Sequence, residues 1–279
     1  MNYRHIFHAG NPADVMKHAI LAQIIMHLRT KDTPFCVLDA HGGIGSYDLS
    51  SEQAGKTLEY ESGIGRLFDL ADPDPSLAPY LDAVRSINPD NRLRYYPGSP
   101  RLARSLMRKQ DRLVAVELHP EDVETLRTEF AGDRQVTVMQ TDAYKALRSQ
   151  LPPREKRGVV LIDPPFEKTD EFERLADGLK TAHRRFANGI YAIWYPIKER
   201  AAIWRFHEAV ENTGIPKILT VELTWHDDDD HNRLNGSGLL IVNPPWKLPE
   251  TLEAMLPALH QALPSTGGGW KIDWLTPES

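Results

Sequence analysis

The sequence predicts an α/β fold: a mostly parallel, seven-stranded sheet with a small helical insert between the first and second strands. Two observations carry this. β-Rich apolar runs at 33–39, 113–117, 135–139, 159–163, 190–194, 218–223 and 239–243 alternate with helical stretches such as 121–130, 170–186 and 197–213. Strands alternating with helices build parallel sheets covered on both faces. Five runs also end in polar groups, at Asp39, Glu117, Thr141-Asp142, Asp163 and Asn243. Open α/β sheets bind ligands at the carboxyl ends of their strands.

A length of 279 residues suits one domain with an insert better than two equal domains. With 41% hydrophobic and 26% charged residues, the composition is that of a globular chain that forms a core without staples. Cys36 is the one cysteine and sits in Phe35-Cys36-Val37-Leu38, which reads as a buried strand thiol in a reducing compartment. Met1-Asn2-Tyr3-Arg4-His5 lacks the apolar core of a signal peptide. No run approaches the about 20 apolar residues of a membrane span. A cytoplasmic protein is expected, monomeric by default. The net charge of −6 argues against a basic nucleic-acid coat. It leaves room for a local basic face, for example at Arg101, Arg104 and Arg108, at Arg154, Lys156 and Arg157, or at His183, Arg184 and Arg185. Each of these clusters alone reads better as a solvated surface.

Asn11-Pro12-Ala13-Asp14 starts the first helix, with Asn11 as cap, Pro12 in the first turn and an acid at the positive end of the dipole. Leu21, Ile24, Ile25 and Leu28 follow at helical spacing. Residues 46–95 hold helical patterns and the proline-rich Asp72-Pro73-Asp74-Pro75 but no good strand. They form the expected insert. Ser99-Pro100 reads as a cap and a first-turn proline, and His119-Pro120 as another helix start.

Asp39-Ala40-His41-Gly42-Gly43-Ile44-Gly45 closes the first strand. Its glycines permit a tight turn and close approach to a ligand. A strand-end acid suits the ammonium of S-adenosylmethionine better than the pyrophosphate of a dinucleotide. Glu117 ends the second strand, where a ribose diol finds acceptor oxygens. It lies roughly 70 residues past Gly45, against about 20 in dinucleotide folds, and the insert accounts for the excess. Asp142 can accept from the adenine amino group of the cofactor and can also cap the helix that follows.

The most informative stretch is Val159-Val160-Leu161-Ile162-Asp163-Pro164-Pro165-Phe166. Two prolines fix φ and remove two backbone donors. The resulting stiff loop presents the Asp163 carboxylate and the Pro164 carbonyl as convergent acceptors. Adenine N6 is conjugated with its ring and is a poor nucleophile. Two acceptors on its two N–H bonds favour a pyramidal nitrogen with an available lone pair. Asp163 then takes or relays the released proton, and Phe166 stacks on the purine. A base inside a helix must first be flipped out. Asn243-Pro244-Pro245-Trp246 has the same form. It closes the last expected strand, antiparallel in such folds and pointing away from the site, so it reads as structural.

With these motifs in place, the chain resembles the RlmJ family of 23S ribosomal RNA adenine-N6 methyltransferases over its whole length. The resemblance rests on Tyr3-Arg4-His5, Phe7-His8-Ala9-Gly10-Asn11, Asp14 with Lys17-His18, Asp39-x-His41-x-Gly43-x-Gly45, and Arg94-Tyr95-Tyr96-Pro97-Gly98-Ser99-Pro100. It continues in Glu117-Leu118-His119-Pro120, Asp163-Pro164-Pro165, Gly189-Ile190-Tyr191-Ala192, Trp194-Tyr195-Pro196 and Asn243-Pro244-Pro245-Trp246-Lys247. It implies a class I, Rossmann-like methyltransferase fold over 1–279. The implied cofactor is S-adenosyl-L-methionine, with S-adenosyl-L-homocysteine as product and 23S ribosomal RNA as partner. Cofactor contacts are implied for His18, His41, Gly43, Ser99, Glu117, Asp142 and Asp163, and substrate contacts for Tyr3 and the tail 1–11, with His5, Lys17 and Phe166. The catalytic group is Asp163, Pro164 and Phe166. The family motif commonly ends in Tyr, so Phe166 keeps the stacking and loses the phenolic hydroxyl. Asp227-Asp228-Asp229-Asp230-His231 reads as a solvated loop rather than a metal site, and no zinc spacing occurs. Alternatives are a DNA adenine methyltransferase, for which no recognition domain is evident, a non-catalytic cofactor-binding RNA module, and a nucleotide-dependent oxidoreductase.

Overall fold

The computed structural model describes residues 4–227 and 230–277. Its main sheet has strands β1 (Cys36–Asp39), β4 (Arg112–Glu117), β5 (Val136–Gln140), β6 (Gly158–Ile162), β7 (Ile190–Ile197), β8 (Ile218–Thr224), β9 (Gly236–Val242) and β10 (Gly269–Thr276). The spatial order is β10-β8-β9-β7-β6-β1-β4-β5. The five strands from β7 to β5 are parallel, and β9, β8 and β10 pair antiparallel. This is the class I methyltransferase fold, with eight strands where seven were expected. The added strand is β10. It lies at the sheet edge and mixes Trp270 and Trp274 with Lys271 and Asp273, so no apolar run announces it.

The strands β1, β6, β8 and β9 are buried along their whole length, which is why they read as continuous apolar runs rather than alternating ones. Two cores flank the sheet. On one face α1 (Pro12–Arg29), α5 (Ser99–Leu106) and α10 (Leu248–Ala262) pack. On the other lie α7 (Ala143–Gln150), α8 (Glu171–Arg185) and α9 (Arg200–Glu211). Thirteen residues of α1 are buried, because α5, α10, β9 and the insert surround it. Such a helix is apolar on most sides. Truncating Ile20 or Ile24, both 0% exposed, to Ala would cost about 2–5 kcal/mol.

Between β1 and β4 the chain forms α2 (Glu52–Thr57), α3 (Glu59–Ser62) and α4 (Ala78–Ser86). A short antiparallel ribbon brackets them, with β2 (Ser46–Asp48) paired to β3 (Tyr95–Pro97). These three-residue strands are too short to show a pattern in sequence. Asn11 caps α1 by accepting from the Asp14 amide at 2.9 Å, as its sequence predicts. Asp142 likewise caps α7 through the Lys145 amide at 3.1 Å. The expected cap at Ser99 is corrected: Gly98 caps α5 and Ser99 is its first residue.

Asn243 follows β9, which is not the last strand. Its side chain donates to the carbonyls of Ala187 and Gly189 at 2.9 and 2.8 Å. Those residues precede β7, so this proline loop fastens the sheet at the end opposite Asp163. No helix among the described residues is long and apolar enough to cross a membrane.

Candidate active site

The strands β1, β4 and β6 run parallel and in register, with Asp39 beside Ala115 and Leu161. Their carboxyl ends therefore bring the glycine loop, Glu117 and Asp163 to one edge. Gly43 has φ +58°, a left-handed conformation, and the Tyr47 hydroxyl fills the space a Cβ would need. The Gly43 amide donates to Glu117 Oε2 at 2.9 Å, and the His119 amide to Oε1 at 2.7 Å. Burial raises the Glu117 carboxyl above its ordinary range, against the pull of these donors. Each oxygen keeps a second lone pair for a ligand hydroxyl.

Asp39 is fully buried. Burial pushes its carboxyl up to about 6, although the Ser99 hydroxyl and the His41 amide pull the other way. Its Oδ2 has no hydrogen-bond partner. That buried oxygen lies beneath the glycine loop and does not line the cavity, whereas Glu117 lines it and fits the ribose diol of S-adenosylmethionine.

His41 accepts at Nδ1 from the Asp163 amide, 3.1 Å away. Burial lowers its pKa to about 4, so the ring is neutral and its proton resides on Nε2. His18 lies at 2.7 Å from the Tyr96 hydroxyl and stacks on that ring at 5.6 Å. Burial lowers it to about 3. Asp142 caps α7 with one oxygen, and Arg174 approaches the other at 3.5 Å.

Lys17 is 3% exposed. Its ammonium donates to Asp14 Oδ1 at 2.7 Å and to Asp163 Oδ2. Burial disfavours the ammonium, but the two carboxylates outweigh it and hold its pKa above the ordinary value. Lys17 also lies 5.8 Å from the centre of the Trp194 ring. Asp14 Oδ2 receives His5 Nε2 at 2.8 Å and the Gly10 amide at 2.9 Å. Arg4 pairs with Glu121 and Asp122 at 3.0 and 2.9 Å, tying the described part of the tail to α6 (Pro120–Glu129). Phe166 has φ +49° and meets Phe172 and Trp194 edge-on, at 4.9 and 5.7 Å between centroids.

One cavity of about 810 Å³ is lined by His5, Lys17, His18, His41, Gly43, Ser99, Glu117, Asp142, Asp163, Pro164 and Phe166, whereas Asp39, expected from its strand-end position to meet the cofactor, is fully buried behind that wall. Tyr3 lies outside the described residues. Sequence reasoning passed over Asp14 as a site residue, although Asp14 and Lys17 at i and i+3 share a helix face. It also passed over Trp194, whose position near the carboxyl end of β7 was the available signal. The described residues contain no group of three His, Cys, Asp or Glu able to hold a metal. Asp228 and Asp229 lie outside them, and Asp227 accepts from the Gly268 amide at 3.0 Å.

Residues 32–276 match the family model described as "Ribosomal RNA large subunit methyltransferase D, RlmJ". The chain belongs to this family. It is 44% identical over 279 residues to the ribosomal RNA large subunit methyltransferase J of Escherichia coli, covering all of both chains. The Haemophilus influenzae protein of the same name is 43% identical over 280 residues, again covering all of both. A crystal structure of a Legionella pneumophila protein is 34% identical with a TM-score of 0.89, over 96% of this chain and 98% of that one. As a member of the RlmJ family, the chain is a ribosomal RNA methyltransferase.

Proposed function

We propose that the chain transfers a methyl group from S-adenosyl-L-methionine to the exocyclic N6 of an adenine in 23S ribosomal RNA, in the cytoplasm. The observation that carries this reading is the His41–Asp163 hydrogen bond, which couples the glycine loop of β1 to the proline loop of β6. When bound, the cofactor supplies an electrophilic methyl on sulfonium sulfur. His41, Glu117 and Asp142 would hold it, with Gly43 allowing close approach, Ser99 and His18 closing the wall, and Asp39 supporting the glycine loop through the His41 amide.

The chain's own chemistry lies at Asp163. Lys17 occupies Oδ2 and leaves Oδ1 for an adenine N–H, while the Pro164 carbonyl serves the second N–H. Together they turn the nitrogen lone pair outward, and Asp163 takes the proton after transfer. A buried charge network cannot swing freely, so these acceptors are preorganised rather than assembled during the reaction. Phe166 offers a ring for the purine, a contact worth about 1–3 kcal/mol. Its packing on Phe172 and Trp194 fixes the ring's angle.

The test is transfer from radiolabelled S-adenosyl-L-methionine to unmodified 23S ribosomal RNA, followed by digestion to nucleosides. Label in N6-methyladenosine is expected. Label in another nucleoside would refute the role given to the 163–166 loop. No label while cofactor binds would refute the substrate.

A further inference from the structure

The cavity continues past Trp194 along the antiparallel half of the sheet. Ile197 and Thr224 both lie opposite Gly236, and Thr224 also lies opposite Gly269. Consequently β7 and β8 end where β9 and β10 begin. The loops joining them share the edge that carries Asp163. They bring Lys198, Trp225, His226, Leu234 and Thr266 into the cavity wall, and Lys168 joins from the end of the proline loop. The mechanism above uses none of these six.

Their chemistry is specific. Trp225 is only 7% exposed, so its ring is held in place. His226 Nδ1 lies 2.7 Å from the Thr266 hydroxyl, which leaves Nε2 as the ring's other hydrogen-bonding atom. Lys168 and Lys198 are exposed, and neither forms an ion pair among the described residues. Cations at the inner end are all matched, Lys17 by Asp14 and Asp163, and Arg174 by Glu171 and Asp142. Glu167 also lines the cavity beside Lys168, while two acids of the β8–β9 loop are engaged locally. Asp227 accepts from the Gly268 amide at 3.0 Å, and Asp230 from the Asn232 amide at 2.9 Å.

An adenine in an RNA chain stays linked to its neighbours, so entry at the Asp163 loop draws two phosphodiesters to the cavity mouth. We propose that this lobe is the subsite for the nucleotide adjoining the target adenosine. Lys168 and Lys198 neutralise its phosphates, and the wall of Trp225 and His226 takes its base. This rests on the RNA reading above. Trp225 supplies an apolar patch of wall against the base, and His226 Nε2 reaches a base edge. The antiparallel strands β8, β9 and β10 thereby serve the substrate, while the parallel half serves the cofactor.

The experiment measures KM and kcat for a short RNA carrying the target adenosine, across a salt series, together with cofactor Kd. The proteins are wild type, Lys198→Ala, Lys198→Arg, His226→Ala and, as a control on the outer face of α8, Lys180→Ala. Lys198→Ala should raise KM about tenfold and lower the slope of log KM against log salt by about 0.7, one single-strand phosphate contact. Lys198→Arg should restore both, and cofactor Kd should stay constant. Wild type should discriminate between RNAs that differ only next to the target, and His226→Ala should erase that discrimination. Wild-type KM and salt slope in Lys198→Ala, or unchanged discrimination in His226→Ala, would overturn the subsite while RNA methylation stands. Failure of wild type to methylate RNA would instead overturn the functional reading.

Discussion

The backbone amide of Asp163 donates to His41 Nδ1 at 3.1 Å across 122 residues of sequence. This bond fixes the tautomer of the histidine and anchors the first residue of the proline loop to the glycine loop. Protonating His41 turns Nδ1 into a donor and sets it against the amide it now accepts.

The pH dependence of stability follows. Burial lowers His41 to about 4 and His18 to about 3, both below the ordinary 6.5. Unfolding between pH 4 and 6.5 therefore takes up a proton at each ring. Their contribution is present above pH 6.5 and is lost as pH falls through that window. Asp39, raised to about 6, acts with the opposite sign: its contribution is full below 3.8 and lost as pH rises through 6. A difference measurement isolates His41. Denaturant unfolding of wild type and His41→Asn at pH 7 and pH 5 should show the wild type losing more stability, by roughly 1.4 kcal/mol per pH unit. Equal losses would show that His41 is not neutral in the fold.

Glu117 separates cofactor affinity from RNA affinity. Its two oxygens accept from the Gly43 and His119 amides, and in the proposed function their remaining lone pairs take the ribose diol. Hydrogen bonds to charged groups contribute about 1.5–3 kcal/mol. Glu117→Ala should weaken S-adenosyl-L-methionine binding by about 10- to 100-fold in calorimetry and leave RNA affinity within about twofold. A matching loss of RNA affinity would place Glu117 elsewhere in the reaction.

Lys17 makes a prediction about folding. It bridges Asp14, 1% exposed, and Asp163. Removing one partner of a buried ion network leaves uncompensated charge and costs about 3–5 kcal/mol. Lys17→Met should lose that much stability in urea. Adding Asp14→Asn should return part of it, because the two sites are coupled. Strict additivity of the two substitutions would show that the network is not the cause.

Much of this architecture is legible in the sequence because buried parallel strands are continuous apolar runs and their ends carry acids. Asp39, Glu117, Asp142 and Asp163 stand out for that reason. Edge structure is less legible. β10 alternates aromatic and charged residues in half-exposed positions, a pattern shared with surface loops. Ser99 has the chemistry of a cap, yet Gly98 holds the cap position, a choice set by backbone dihedrals that composition does not display. Asn243-Pro244-Pro245-Trp246 mimics the active loop, and strand direction separates the two. The pairing of Lys17 with Asp163 spans 146 residues, so no local pattern could announce it.

In the proposed reaction Asp163 activates the adenine amino group through its carboxylate. The most direct measurement is the single-turnover methylation rate of Asp163→Asn on saturating RNA, with cofactor affinity measured on the same protein. The amide replaces one acceptor oxygen with a donor and cannot take the proton, and positioned proton transfer contributes about 10²–10⁴-fold. The expected rate is at least about a hundredfold below wild type, with S-adenosyl-L-methionine still bound. A rate within about threefold of wild type would contradict it.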